Sequence, residues 1–83
     1  MQRTSTFKLT ISKVNELVFQ GDVISVTFPG SEGEFTVLAQ HEPIITLLQH
    51  GTITVRIAPG EEKTFIIEKG VLEASHGQVT VLV

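Results

Sequence analysis

The sequence contains no cysteine, no tryptophan and no tyrosine, and each absence excludes a class of structure or function. Without cysteine the chain has neither a disulfide framework nor a thiolate metal site, so its 83 residues must be stabilised by one apolar core or by a partner. Without tryptophan or tyrosine it has no aromatic platform on which single-stranded nucleic acid would stack.

Basic residues and long apolar runs are also scarce. The sequence has 6 lysine and arginine residues against 9 aspartate and glutamate residues, a formal net charge of −3 at pH 7. Nucleic-acid binding depends on basic patches that displace counterions, so we predict no nucleic-acid partner. No apolar run exceeds three residues, whereas about 20 are needed to span a bilayer, so we predict no direct membrane insertion.

Residues 1–6 lack the apolar stretch of a secretory signal and are predicted to form a flexible tail. From Phe7 onward the dominant pattern is an alternation of apolar and polar residues, which is typical of strands with one buried face. It occurs at residues 7–11, 24–28, 34–37, 52–57, 65–67 and 78–83. Turn signals separate these runs at residues 29–33, 59–62 and 76–77. We therefore predict an all-β fold with one domain over residues 7–83, a small two-sheet β sandwich or flattened barrel of about ten short strands.

Two segments also fit a helix by spacing. Ile11, Val14, Leu17 and Val18 would lie on one helical face, and residues 43–48 would form a helical turn with Pro43 near its start. Neither segment shows the 10–12 residues of helical period that a helix needs, and β-branched residues dominate both. We therefore interpret both as strand or extended loop.

The candidate chemical residues form no catalytic or metal-binding set. His41, His50 and His76 are far apart in sequence, and none has a second ligand at zinc-binding spacing. His50 and His76 are interpreted as solvent-facing loop residues. For His41, a loop histidine bonded to the backbone and a residue that contacts a partner both remain open.

Two carboxylates, Glu32 and Glu34, flank Gly33 on a predicted loop. They are either a solvated acidic turn or an exposed acidic tip that meets a polar or basic partner, where charge sets register and association rate. A catalytic pair would need a cleft and one raised pKa, and a sandwich of this size has little room for such a cleft. We therefore predict no catalytic residue, no bound metal and no cofactor.

A longer pattern runs through the same region. The sequence reads G-S-E-G-E-F over residues 30–35 and H-E-P-I-I-T over residues 41–46. It resembles the epsilon subunit of F-type ATP synthases, in which G-S-E-G-E-[L/F]-G is followed after two to four residues by G-H-A-P-L-L-T. Further matches lie at residues 19–21, 51–53, 70–73 and 79–82, so the resemblance covers nearly the whole chain from Phe7.

The resemblance implies both a fold and a role. The amino-terminal domain of that family is a ten-stranded β sandwich at the foot of the rotor's central stalk, where it holds the gamma subunit and rests on polar loops of the membrane rotor ring, the c-ring. Carried onto this chain, the residues facing the c-ring would be Ser31, Glu32, Gly33 and Glu34. Those on or near the gamma-facing surface would be His41 and Thr46.

The implied function is that of a non-catalytic rotor subunit that couples proton transport to ATP synthesis. The implied location is peripheral, at the cytoplasmic face of the bacterial inner membrane. A second class remains open on the residues alone: a stand-alone β-sandwich module that binds a carbohydrate or peptide ligand. Such modules usually present aromatic side chains on one face, whereas the five phenylalanines here lie mostly on the inward phase of their strands.

The sequence departs from the family pattern around His41, at positions between residues 36 and 42. Thr36 stands where the family commonly has glycine, Ala39-Gln40 replaces Pro-Gly, and Glu42 replaces a small residue. We therefore expect a less sharply turned loop at His41. The sequence ends at Val83, where most bacterial relatives continue into two helices that carry inhibition of ATP hydrolysis and, in some members, ATP binding. We expect no C-terminal helical domain in this sequence and assign neither of those functions to it.

Overall fold

The computed structural model describes residues 5–83, and regular structure within them consists of β-strands only. The predicted all-β class is confirmed, with nine strands rather than about ten. In chain order they are β1 (Phe7–Lys13), β2 (Glu16–Val23), β3 (Ser25–Gly30), β4 (Gly33–Leu38), β5 (Ile44–Leu48), β6 (Gly51–Ala58), β7 (Glu61–Ile67), β8 (Gly70–Ser75) and β9 (Gln78–Leu82). Of the predicted tail, residues 1–4 lie outside the described residues, and Ser5 and Thr6 are exposed ahead of β1.

The strands form one continuous sheet that curls into two facing halves. The hydrogen-bonded order is β2-β1-β9-β8-β5-β3-β6-β7, and β4 pairs with the side of β3 opposite β6. We call β4, β3, β6 and β7 the front half, and β5, β8, β9, β1 and β2 the back half. The two are joined where Gly30 of β3 pairs with Leu48 of β5. The expected pair of sheets is thus a single sheet folded on itself.

The predicted alternation places the apolar residues in one core between the halves. Side chains two apart share a face of a strand, so each strand contributes every second residue. No polar or charged side chain among residues 5–83 is fully buried. The buried hydrophobic residues are Phe7, Leu9, Ile11, Val23, Val26, Phe28, Val37, Leu48, Ile53, Val55, Ile67, Leu72, Ala74, Val79 and Val81.

Both segments with helical spacing are strands, as predicted. Residues 11–18 span the end of β1, a turn at Val14 and Asn15, and the start of β2, and Asn15 adopts a φ of 66° that suits asparagine in a turn. Residues 44–48 form β5, which pairs with β8. The hairpin predicted at His76-Gly77 is also confirmed, with Gly77 at a φ of 69°.

The halves approach each other along one side through side chains instead of a backbone ladder. The rings of Phe19 on β2 and Phe65 on β7 lie 5.9 Å apart at 58°, and Lys63 Nζ sits 6.0 Å from the Phe19 centroid. These contacts cover the β2–β7 side of the core. On the other side, β5 pairs with β3 only at Leu48 and does not pair with β4. A gap between β4 and β5 therefore remains without backbone pairing in the described chain.

Val55 offers a direct test of this core, because it is 0 % exposed at the centre of β6. Replacing it in Val55→Asp puts an unpaired carboxylate among apolar side chains, and we expect the free energy of unfolding to fall by about 3–5 kcal/mol. Thr52→Asp is the matched control, since Thr52 is exposed on the same strand and should cost about 1 kcal/mol or less. Urea unfolding followed by circular dichroism measures both, and equal losses would contradict the assigned strand phase.

Candidate protein-interaction site

The predicted acidic loop is a tight hairpin turn between β3 and β4. Gly30 pairs with Gly33, which leaves only Ser31 and Glu32 in the turn. The N–H of Ser31 donates to the carbonyl of Leu47 at 3.1 Å, and this bond fixes the turn against β5. Gly33 has a φ of 129°, a conformation that disfavours any residue with a Cβ.

The placement of Glu34 on the loop is wrong and its place in the alternating run at residues 34–37 is confirmed, because only Ser31 and Glu32 form the turn. Pro29 is compatible with β3: its carbonyl accepts from Gln49 N at 2.9 Å, and its missing N–H is not needed for pairing with β4. Glu34 is therefore the second residue of β4, directly opposite Pro29. It is exposed and points to the outer surface, one residue from the turn that carries Glu32.

Among residues 5–83, neither acidic side chain at this turn is paired with a cation. The ion pairs in residues 5–83 are Lys8–Asp22 at 3.4 Å and His50–Glu68 at 4.0 Å, and both are exposed. Glu32 and Glu34 thus present uncompensated negative charge at one end of the molecule. This arrangement supports the interpretation as an acidic tip, although it carries no catalytic geometry, since neither carboxylate is buried.

Beside the acidic tip, the back half exposes apolar side chains in register, a feature that sequence reasoning missed. The pairings Leu47–Val71, Val71–Leu82, Leu82–Ser12 and Ser12–Leu17 place five residues in one line across β5, β8, β9, β1 and β2. We call this line the apolar row. Its hydrophobic members are 61 % (Leu47), 42 % (Val71), 50 % (Leu82) and 58 % (Leu17) exposed. Leu47, Val71 and Leu82 are adjacent, and Ser12 separates them from Leu17. An exposed apolar surface of this kind is typical of an interaction site.

A shallow groove of about 400 Å³ extends the row toward the end of the molecule that carries the acidic tip. Val14, which is 78 % exposed, lines this groove together with Leu47, Val71 and Leu82. Away from this end the same face is mostly polar: the next line across the strands is Ile45, Glu73, Thr80, Thr10 and Gln20. Ile45 is the one apolar residue in that line, so most of the apolar surface of this face lies next to the acidic turn.

The outer face of the front half has a different chemistry. Thr36, Thr27, Thr54 and Thr64 lie in register across its four strands, and the hydroxyls of Thr27 and Thr36 are hydrogen-bonded at 2.9 Å. Threonine rows suit a solvated sheet surface. The exposed apolar residues there, Leu38 and Ile66, are not opposed by apolar partners, since they pair with Ser25 and Thr52. The two outer faces are thus distinct.

His41 lies in the loop between β4 and β5, at the end of the front half away from the acidic turn. The length of β4 separates Leu38 from Gly33, a distance of about 17 Å along the strand. The imidazole is half-buried, packs edge-on against Phe7 with centroids 5.6 Å apart, and has Nδ1 3.4 Å from the carbonyl oxygen of Glu42. Its Nε2 is buried without a hydrogen-bond partner among the described residues.

Thr46 is half-buried in the middle of β5, opposite Leu72 and on the same face as Leu48. Its side chain is therefore turned from the outer face that carries Ile45 and Leu47. The structure brings Ser31, Glu32, Gly33 and Glu34 together, and it holds His41 apart from them. Thr46 lies between, on the strand that links the two regions.

The signal that could have revealed the apolar row was present in three short runs. Residues 44–48, 71–72 and 81–83 are apolar on both phases of their strands, so one phase must face outward. Strand register, which the sequence pattern did not give, is what aligns them. None of the phenylalanines is among the exposed large hydrophobic residues of the described chain, so no aromatic platform for a carbohydrate is present there.

An all-β sandwich with an acidic turn beside an exposed apolar row defines a small protein-interaction domain. Comparison with known proteins gives the family. The profile of the family described as ATP synthase, Delta/Epsilon chain, beta-sandwich domain matches residues 6–83. The chain therefore belongs to the family of the β-sandwich domain of ATP synthase delta/epsilon chains, as the residues at 30–46 predicted.

Individual relatives agree with this family. The ATP synthase epsilon chain of a Nitratiruptor species is 45 % identical over 78 residues, which cover 94 % of this chain and 60 % of the relative. That of Sulfurimonas denitrificans is 42 % identical over 79 residues, covering 95 % and 61 %. The chain thus spans about three fifths of the length of these curated relatives.

A solved structure gives the same result for the fold. A chain in the cryo-EM structure of the Euglena gracilis mitochondrial ATP synthase, described as OSCP/F1/c-ring in rotational state 1, superposes with a TM-score of 0.89 at 27 % identity. The match covers 95 % of this chain and 51 % of that one.

The position of the acidic turn depends on Gly30, and this dependence can be tested. A Cβ at Gly30 would lie 2.6 Å from the Gly33 carbonyl oxygen and 2.7 Å from the Phe35 ring, so Gly30→Ala should destabilise the fold by about 1–3 kcal/mol. Gly21→Ala is the control, because its added Cβ would make an ordinary 3.6 Å contact with Phe19. Chemical denaturation gives the free energy of unfolding of both variants. A Gly30→Ala protein as stable as the control would contradict the close contacts at Gly30.

Proposed function

We propose that this chain is a non-catalytic rotor subunit of an F-type ATP synthase that links the gamma subunit to the c-ring. In this role it would help to assemble the central stalk and to couple proton transport to ATP synthesis. The observation that carries the proposal is the presence of two unlike contact surfaces, the acidic turn and the apolar row, on one body of the epsilon-chain fold. A linking subunit needs two such surfaces.

The acidic turn is proposed as the c-ring side. Ser31, Glu32, Gly33 and Glu34 are exposed, and the turn projects from the end of a hairpin, where it can reach a shallow loop surface. Uncompensated carboxylates at such a tip favour polar or basic loops and mainly set orientation and association rate. Exposure of this kind suits a contact with loops better than a contact within an apolar interface.

The apolar row and the adjoining strand β5 are proposed as the gamma side. Stable subunit interfaces have an apolar centre with a polar rim, and the row of Leu47, Val71 and Leu82 beside polar Glu73 and Thr80 fits that anatomy. His41 precedes β5 and Thr46 lies within it. Their proposed role on the gamma side comes from the family resemblance.

The proposed location is peripheral, on the cytoplasmic face of a bacterial inner membrane, as part of the synthase complex. Among residues 5–83 the structure has no helix that is long and apolar enough to cross a bilayer. In the proposed complex the c-ring would hold the chain at the membrane surface. The described residues also contain no cluster of three or more side chains suited to hold a metal ion.

Glu34→Lys tests the c-ring side. The change reverses a charge at an exposed site, so we expect weaker association with the c-ring and a change in unfolding free energy within about 0.5 kcal/mol. Glu62→Lys is the matched control, because Glu62 is exposed on β7 in the front half, away from the turn. Binding to reconstituted c-ring is measured for both. Loss of folding in Glu34→Lys, or equal binding by both variants, would count against an interaction role for the turn.

Leu47→Asp tests the gamma side. Leu47 is 61 % exposed, so the free domain should tolerate aspartate, whereas burial of that charge in an interface should cost association with gamma at least about ten-fold in affinity. Ile66→Asp serves as the control, since Ile66 is 79 % exposed on the opposite face. Co-purification with co-expressed gamma is the measurement. Failure of the unaltered chain to associate with gamma would refute the proposed function itself.

A further inference from the structure

Strand β4 has one side that pairs with nothing in residues 5–83. All six of its residues pair with β3, from Gly33 opposite Gly30 to Leu38 opposite Ser25, and β4 lies off the main order of the sheet. Its other side borders the gap between β4 and β5. An unpaired strand edge presents a row of N–H and C=O groups that can bind another strand.

The groups on that edge can be assigned from Pro29. Its carbonyl accepts from Gln49, on the side of β3 away from β4, so Pro29 and Glu34 form a non-hydrogen-bonded pair within the hairpin. Because hydrogen-bonded and non-bonded pairs alternate, the backbone groups of Glu34, Thr36 and Leu38 all point to the free edge. Those of Phe35 and Val37 point to β3.

This edge lacks the features that protect the other outer strands. The end strands β2 and β7 carry charges, among them Asp22 and Lys63, and β2 pairs irregularly with β1 at a bulge. Their rings Phe19 and Phe65 also cover the core between them. In contrast β4 reads GEFTVL, with a single charge, no proline and no register shift. Flat and weakly charged edges of this kind are sites for strand addition.

A groove of about 490 Å³ runs along the same edge. Phe35 and Val37 of β4 line it on one side, and Pro43, just before β5, and Ile44, its first residue, line it on the other. Polar side chains of residues 40–42 also line it. The groove therefore offers a backbone edge for pairing between walls of mixed apolar and polar side chains.

We propose that the free edge of β4 binds an extended segment of the gamma subunit as an additional strand, which lies in this groove. The inference rests on the proposed function for the identity of the partner. The segment would bond to the backbone of Glu34, Thr36 and Leu38 and carry small or apolar residues at alternate positions.

A second copy of this chain fits the edge less well than a segment of a larger partner. A strand of six residues is about 20 Å long, and pairing along it alone buries much less than the roughly 1,200 Å² of a stable interface. A segment of gamma would add this contact to the one over the apolar row, because β5 borders both the groove and the row. Ile44 lies at the groove and Leu47 in the row, at opposite ends of the five-residue strand β5, so one partner could reach both.

The experiment compares Thr36→Pro with Thr36→Ala in the full chain, by affinity for purified gamma. Both remove the hydroxyl bonded to Thr27, but only proline removes the N–H on the free edge, and an edge strand accepts proline where that N–H has no internal partner. We expect Thr36→Pro to bind gamma about ten-fold more weakly than Thr36→Ala. Equal affinities in two folded variants would overturn the proposal.

Amide hydrogen exchange of the unaltered chain gives a readout that does not depend on any variant folding. On addition of gamma we expect exchange to slow at Glu34, Thr36 and Leu38, and much less at Phe35 and Val37, which already bond to β3. Binding of gamma without this alternation would overturn strand addition while leaving the proposed function intact. Self-association of the chain without gamma, with the same alternation, would replace gamma by a second copy and also overturn the proposal.

Discussion

The close approach of the chain at Gly30 is the constraint on which both the fold and the proposed site depend. Here β3 turns into β4 on one side and meets β5 on the other, so three strands converge within one residue. A Cβ at Gly30 would collide with the Gly33 carbonyl and the Phe35 ring, and one at Gly51 would lie 2.7 Å from Pro29 Cβ. The absence of a side chain at Gly30 and Gly51 therefore permits the close approach of strands where the front half joins the back half.

This junction also brings the two contact surfaces together. The bond from Ser31 N to the Leu47 carbonyl ties the acidic turn to the first residue of the apolar row. The rest of the row follows from register, since Val71, Leu82 and Leu17 are aligned by the ladders of β8, β9, β1 and β2. A slip of one residue in any ladder would turn that strand's outward side chain into the core. Core packing and surface chemistry are thus fixed by the same register.

Much of the fold could be predicted from the sequence because period two and turn residues are local signals. The strand class, the hairpin at Gly77 and the strand character of residues 44–48 all follow from them. The extent of β3 could not, since Pro29 reads as a turn residue until its Gln49 partner is known. The apolar row could not either, because Leu47 and Leu17 are neighbours of Val71 and Ser12 only through pairings between distant parts of the chain.

For the candidate site, residue patterns located the acidic turn, and the family resemblance is the basis for its proposed partner. The imidazole of His41 packs against Phe7, on another strand, and its Nε2 is buried without a hydrogen-bond partner among the described residues. The sequence motif marks His41 but does not reveal this packing. A similar limit applies to β4: its sequence reads as an ordinary strand, and only the topology shows that one side is unpaired within the described chain.

The gap between β4 and β5 bears both on partner binding and on the rigidity of the domain. In the proposed rotor role the domain would have to resist shear between its two halves, which are held at Gly30 and by the Phe19–Phe65 contact on the β2–β7 side. A strand bound in the gap would cover the opposite side and complete the enclosure of the core. The proposed partner would then also stiffen the domain, so a chain with a small core need not be rigid before it is assembled.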